Sequence, residues 1–432
     1  MNFYNLKHKE EQLNFKEATI KGQGKDKGLF FPEDISKFSN EFLQNLPNLS
    51  NEEIAFQVMK DFAGDEIPEA ELRKIVAETI AFDIPLKKVT ENISVLELFH
   101  GPTLAFKDVG ARFMSRCLGY FLKNETRKVT VLVATSGDTG GAVANGFYDV
   151  EGIELVILYP KNRVSPVQEK QLTALGKNIH ALEVNGSFDD CQALVKQAFS
   201  DESLNEKLLL TSANSINVAR WLPQQIYYVL ALKQWLKNNS ENPVICVPSG
   251  NFGNICAGIL AHHRGLPVEQ FIAACNVNDV VPEYLRTEIL QPKETVATIS
   301  NAMDVGDPSN FVRILELFDK EFNQVKNKLS GYTIDDEETL KTIKRVEKDY
   351  GYVLDPHGAV AFVALEKYLT ENDGKGFFLE TAHPVKFPDS VEQATGKSVE
   401  IPKSLEELMK QEKFTTEINP QYEELKEFLL KK

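Results

Sequence analysis

Short apolar runs recur along the chain, each closing on a turn signal and leading into a helical pattern: KVTVLVATSGDTG, GIELVILYP, IHALEVNG, PVICVPSGNFGN, FIAACNVND and GKGFFLETAHP. They are rich in Val, Ile and Leu and lack polar alternation, which is the signature of strands covered on both faces, as in parallel sheets flanked by helices. The stretches SPVQEKQLTALG and NICAGILAHHRG between them read as crossover helices. The first opens on Ser165 as cap, with Pro166 in its first turn, and ends near Gly176. The pattern predicts an α/β fold built on doubly wound parallel sheet. Residues 1–90 read as mainly helical with acidic faces, and residues 402–432 as a helix followed by a solvated tail.

In sheets of this kind ligands sit at the carboxyl ends of the strands, so the residues just after each run carry the chemistry. In VPSGNFGN, Ser249, Gly250, Asn251, Phe252, Gly253 and Asn254 separate a strand from a helix. Glycines allow a sharp turn there, and amides at a helix start form a socket for a phosphate. No lysine follows in Walker fashion and GxGxxG is absent, so a nucleoside triphosphate or dinucleotide is unsupported. The same residues also suit an ordinary strand-to-helix connection. ATSGDTGGA, residues 134–142, crowds hydroxyls, glycines and amides at a second helix start, which suits a carboxylate or phosphate, although Asp138 and Thr139 serve equally well as caps. Thr381 in LETAHP ends the last run and, taken alone, is a strand threonine.

Lys107 stands between Phe106 and Asp108 in HGPTLAFKDVGARFM, at the start of a predicted helix. A solvated face is the ordinary place for a lysine. In a partly apolar pocket the ammonium form is disfavoured, and the neutral amine can attack a carbonyl to form a Schiff base.

With 432 residues, 42% hydrophobic, 26% charged and 9% aromatic, the composition is that of a globular protein with more than one domain. A net charge of −15 disfavours nucleic acid as the main partner. MNFYNLKHKEEQLNF lacks the apolar core and cleavage site of a signal peptide, and no window is long and apolar enough to span a bilayer. The expectation is a cytoplasmic protein that does not engage membranes. Five cysteines without a CxxC pair fit reduced thiols, and seven histidines without HExxH give no sign of a metal site.

Taken together and in order, YNLKHKEEQLNFKEATIKGQGKDKGLFFP, ELFHGPTLAFKDVGARF, VATSGDTGGAVANGFY, NSINVARWLPQQIYY, VPSGNFGN, ISNAMDVGDPSNF and ETAHPVKFP give the chain a strong resemblance to a known family over roughly residues 1–395. They resemble the threonine synthases of the longer class, within the pyridoxal-phosphate enzymes of the tryptophan synthase β fold type. The resemblance implies two doubly wound parallel-sheet domains with the cofactor in the cleft between them, plus the helical N-terminal segment. It implies a division into 1–90, a strand-turn-helix carrying the lysine at 91–125, a smaller domain at 126–215, a larger one with the phosphate turn at 216–395, and a helical tail at 396–432.

By the same resemblance, Lys107 binds pyridoxal 5'-phosphate covalently, Gly250, Asn251, Phe252, Gly253 and Asn254 hold its phosphate, and Thr381 meets the pyridine nitrogen. A hydroxyl there supplies no charge to keep that nitrogen protonated. Ser136, Asp138 and Thr139 belong to the segment expected to bind the substrate carboxylate, with the two hydroxyls as donors, while Asn217 and Arg220 are expected toward the substrate's phosphate, which the arginine fork matches. Many members of the fold type carry Asn where Asp138 stands, against the cofactor's phenolic oxygen. An ionised aspartate would repel that oxygen, leaving Asp138 to be protonated, turned away or otherwise employed.

The implied reaction is a carbon–oxygen lyase reaction acting on a phosphate: O-phospho-L-homoserine and water give L-threonine and phosphate, by a monomer or homodimer. Lys107 is the expected acid and base for the proton transfers. Rivals of the same fold type are a serine or threonine dehydratase and a phospholyase acting on phosphothreonine or phosphohomoserine. A catalytically silent metabolite-binding relative is a rival of another class, which the intact lysine, turn and Thr381 oppose.

Overall fold

The computed structural model describes residues 1–123, 128–135 and 137–431. All six apolar runs are strands, at Val129–Ala134, Ile153–Pro160, Ile179–Val184, Val244–Pro248, Gln270–Cys275 and Gly376–Glu380. The two crossover stretches are helices, Pro166–Thr173 and Gly253–His263. The first carries the predicted cap: Ser165 accepts from the Gln168 amide and Gln168 reaches back to the Ser165 amide.

Two compact units form, and neither is one continuous stretch. The first comprises residues 31–106 and 221–400 together with Met1. Its sheet has the order Leu329–Thr333, Gln270–Cys275, Val244–Pro248, Gly376–Glu380, Ile93–Glu97, Leu86–Lys88. Every pairing is parallel except the last. The central strand Val244–Pro248 is buried at all its positions, which is why its sequence shows no polar alternation. The helix Pro356–Glu371 covers the sheet, and its Val360, Phe362 and Leu365 join Val95, Cys246, Ile272 and Phe378 in one core.

The second unit comprises residues 2–30, 107–220 and 401–432. Its sheet, in the order Thr415–Ile418, Ile179–Val184, Ile153–Pro160, Val129–Ala134, Leu209–Thr211, is wholly parallel. Near the N-terminus Asn2–Asn5 pairs antiparallel with Gln12–Asn14, and Asn14 opens the helix Phe15–Lys21 with a capping box. Phe15 of that helix packs on Phe113 and Phe121, with ring centroids 6.4 and 6.1 Å away.

The chain thus divides differently from the contiguous segments expected. Residues 1–90 include strands as well as helices and contribute to both units. The C-terminal residues are no solvated tail either. Thr415–Ile418 pairs with Ile179–Val184, while Leu405, Ile418, Leu425 and Leu429 are buried. The tail's few apolar side chains are spaced to cover the edge of the smaller sheet, and sheet edges left bare are prone to pair with other chains. All five cysteines are buried free thiols.

Candidate functional site

Three neighbouring strands of the first unit end at the same level. Cys246 pairs with Phe378, and Phe378 with Val95, so Ser249, Thr381 and Leu98, each three residues on, emerge side by side. Adjacent strands lie about 4.8 Å apart. The turn after Pro248, Thr381 and the loop leading to Lys107 therefore leave one edge of one sheet.

The turn 249–254 is fixed by its own side chains. The Ser249 amide donates to the Ala274 carbonyl at 2.9 Å and its hydroxyl to the Val247 carbonyl at 3.0 Å. Asn254 Nδ2 donates to the Pro248 carbonyl at 2.9 Å, and Asn251 Oδ1 accepts from the Ser309 amide at 2.7 Å. Phe252 takes a left-handed conformation, φ 60°, as the cap of Gly253–His263, and its buried ring meets Phe311 at 5.7 Å. No side chain caps this 11-residue helix among the described residues. Its positive end and first-turn amides suit a phosphate. At Gly250 a Cβ would come within 2.7 Å of the Met303 Cα, so only glycine lets this turn lie against the segment 300–304.

The approach to Lys107 is held to Thr381. The Leu98 amide donates to the Glu380 carbonyl, Ala105 bridges Ala382, and the Phe106 amide donates to the Thr381 carbonyl at 2.9 Å. Leu104 has φ 57°, a conformation costly for a leucine and typical of functional loops. The buried Lys386 donates from Nζ to the Thr103 carbonyl at 2.9 Å. Lys107 itself is half-buried and starts the helix Lys107–Leu122, and Thr381 is buried.

In the second unit the segment after Val129–Ala134 is shaped by Thr135, whose Oγ1 accepts from the Gly137 and Gly140 amides at 3.0 and 2.9 Å. Gly137 has φ 137°, and the helix Asp138–Phe147 follows. Asp138 is buried, and its Oδ1 accepts from Gln168 Nε2 at 2.9 Å. Gln168 is thus one partner of this carboxylate. Thr139 is half-buried, and Ser136 lies outside the described residues.

Asn217 is wholly buried: its Nδ2 donates to the Thr19 carbonyl at 2.9 Å, and its Oδ1 accepts from the Ala219 amide at 2.9 Å. It ties the helix Phe15–Lys21 to the turn 212–217. Arg220 is buried too, donating from NH1 to the Ala213 carbonyl. Burial pushes its guanidinium down to about 10, opposed by the nearby Asp108 carboxylate. Asn214 and Ser215, on the more open side of the same turn, are half-buried polar residues beyond those expected from the sequence. Gln168 and Lys386 were also outside that expectation, since both act on residues 30 and 283 positions away.

A sequence profile described as "Pyridoxal-phosphate dependent enzyme" matches residues 83–376, and profiles described as "Threonine synthase N terminus" and "Threonine synthase, C-terminal" match 2–80 and 358–429. Fold and site thus define a pyridoxal-phosphate-dependent enzyme of the tryptophan synthase β type. A threonine synthase of Haemophilus influenzae is 46% identical over 431 residues, with all of both chains covered. The crystal structure of threonine synthase from Escherichia coli superposes with a TM-score of 0.92 at 44% identity, over all of both chains. That of the pyridoxal-phosphate-bound threonine synthase from Brucella melitensis gives 0.93 at 35%, covering 99% of this chain and 98% of that one. The chain belongs to the threonine synthase family.

Proposed function

We propose that this chain converts O-phospho-L-homoserine and water into L-threonine and phosphate, with pyridoxal 5'-phosphate bound at the turn 250–254, Thr381 and Lys107. The observation that carries this reading is the common level at which the three strand ends deliver the turn, Thr381 and the lysine loop. When bound, the coenzyme supplies an electron sink for charge developing on the substrate's carbon atoms. Amides of Gly250 to Asn254 would hold its phosphate, and the Thr381 hydroxyl would meet its ring nitrogen without adding charge.

Lys107 would anchor the coenzyme covalently, and its amine is the group that would carry protons between substrate carbons. Thr139, Ser136 and the amides opening Asp138–Phe147 receive the substrate carboxylate. Asp138 shapes that loop through Gln168. Arg220 serves the phosphate side, with Asn217 fixing the turn that presents it. The partners in this reading are small molecules, the setting is the cytoplasm, and among the described residues no helix is long and apolar enough to cross a membrane.

The test is phosphate release from O-phospho-L-homoserine, run beside L-serine, L-threonine and O-phospho-L-threonine. Threonine formation from the first alone is the expected result. Ammonia release from serine or threonine at a higher specificity constant would replace the reading with a dehydratase, and faster turnover of phosphothreonine with a phospholyase.

A further inference from the structure

Behind the coenzyme residues of the first unit lies a buried polar chain with no place in the reaction so far. His357 and Asp355 are both buried. His357 Nε2 accepts from the Ala302 amide at 3.2 Å, so the ring proton is on Nδ1, which donates to Asp355 Oδ1 at 2.5 Å. Asp355 also caps the helix Pro356–Glu371. Its amide in turn donates to Glu380 Oε1 at 2.7 Å. Glu380 is fully buried, and Gly358 makes room for it: a Cβ there would sit 1.7 Å from Glu380 Oε2.

Burial, and then the Asp355 carboxylate, push the Glu380 carboxyl well above its ordinary value. Its register neighbour Glu97 goes the other way. Burial opposes that shift, but hydrogen bonds from His100 and Lys87 hold Glu97 down. Two glutamates side by side in the sheet are thus shifted in opposite directions, up for Glu380 and down for Glu97.

Each end of the chain touches a coenzyme element. Ala302 and Met303 form the backbone surface against which Gly250 of the phosphate turn rests. Glu380 immediately precedes Thr381, whose carbonyl receives the Phe106 amide. The imidazole is held in place by Phe387 at 4.7 Å between ring centroids. His357, Asp355 and Glu380 are all buried.

We propose that His357, backed by Asp355 and Glu380, is a positioning residue for the coenzyme, locking the segment behind the phosphate turn to the strand end that carries Thr381. The coenzyme is then gripped at its phosphate and at its ring nitrogen by one rigid span. The inference rests on the assignment of 250–254 and Thr381 to the coenzyme.

The test titrates the apoenzyme with pyridoxal phosphate and with pyridoxal, which has the same ring and aldehyde but no phosphate, following absorbance of the bound Schiff base. His357→Asn keeps a donor for Asp355 but is too short to accept from Ala302. Loss of that buried hydrogen bond should weaken pyridoxal phosphate about tenfold and pyridoxal by less than about twofold. His357→Gln, which returns an acceptor near the Nε2 position, should recover to within about threefold of the wild type.

Equal weakening of both ligands by His357→Asn, unchanged affinity, or no recovery in His357→Gln would each overturn the proposal. Should the Asn variant not fold, His357→Met keeps the bulk against Phe387 without a good acceptor and takes its place. A wild type that binds both compounds equally would instead overturn the phosphate-turn assignment, a failure distinct from that of His357.

Discussion

Gly250→Ala is the most direct probe of the phosphate turn. The new Cβ would meet the Met303 Cα at 2.7 Å, the Ala302 carbonyl oxygen at 2.9 Å and the Met303 carbonyl carbon at 3.3 Å, all of them backbone atoms that no rotamer change can withdraw. Ordinary contact begins at 3.4 Å, so either the turn or the segment 300–304 must shift by about 0.7 Å. If the turn gives way, amide-to-phosphate bonds of about 2.8 Å stretch toward 3.5 Å, where they cease to count as hydrogen bonds. Losing one or two charge-assisted bonds at about 1.5–3 kcal/mol each costs about 3 kcal/mol, which is about 150-fold in the coenzyme dissociation constant. The assay is equilibrium titration of apoenzyme with pyridoxal phosphate, with thermal unfolding of the apo form as a control for folding. Coenzyme affinity within about threefold of wild type in a folded Gly250→Ala protein would refute the placement of the phosphate against this turn.

Lys107→Ala should abolish turnover of O-phospho-L-homoserine and the absorbance of the covalent coenzyme, and retained activity would remove the lysine from its role. Arg220→Lys keeps the positive charge beside Asp108 but loses the planar fork, so KM for the phosphorylated substrate should rise about tenfold with coenzyme affinity unchanged; an unchanged KM counts against the phosphate-side assignment. His383 is pushed down to about 4, by burial first and by neighbouring His100. Because an unfolded histidine protonates near 6.5, acidification from there toward pH 4 favours the unfolded chain by up to about 1.4 kcal/mol per pH unit from this group. Urea midpoints across that range should fall, and His383→Gln should flatten the slope; an identical slope in the variant would show that His383 does not carry it.

The strands around the site were legible because each is an unbroken apolar run closed by a turn signal, and Lys107 does begin a helix as its setting predicted. Ile93–Glu97 leaves a weaker mark, because ISVLE is short and contains Ser94 and Glu97, both of which suit an exposed loop as well as a sheet interior; it was reached through the strand-turn-helix at 91–125 that the resemblance implied. Thr415–Ile418 was missed for a related reason: three of its four residues are exposed, so its pairing with Ile179–Val184 leaves almost no apolar mark. The ambiguity at Asp138 turned on a partner, Gln168, that itself reads as an ordinary first-turn helix residue. The chain through Ala302, His357, Asp355 and Glu380 was out of reach altogether. No spacing rule connects residues that meet only because the sheet brings Gly376–Glu380 beside Val244–Pro248.

The interleaved division of the chain has a consequence for synthesis. The second unit needs segments more than 400 positions apart, since Asn2–Asn5 and Thr415–Ile418 both belong to it. Vectorial synthesis usually lets an N-terminal domain fold before the rest appears. Here the smaller sheet waits with Ile179–Val184 unpaired on one side until Thr415–Ile418 has been made. A chain stalled before residue 415 would carry the whole larger sheet yet present a raw β edge to its neighbours, the kind of surface on which unfinished chains pair with one another.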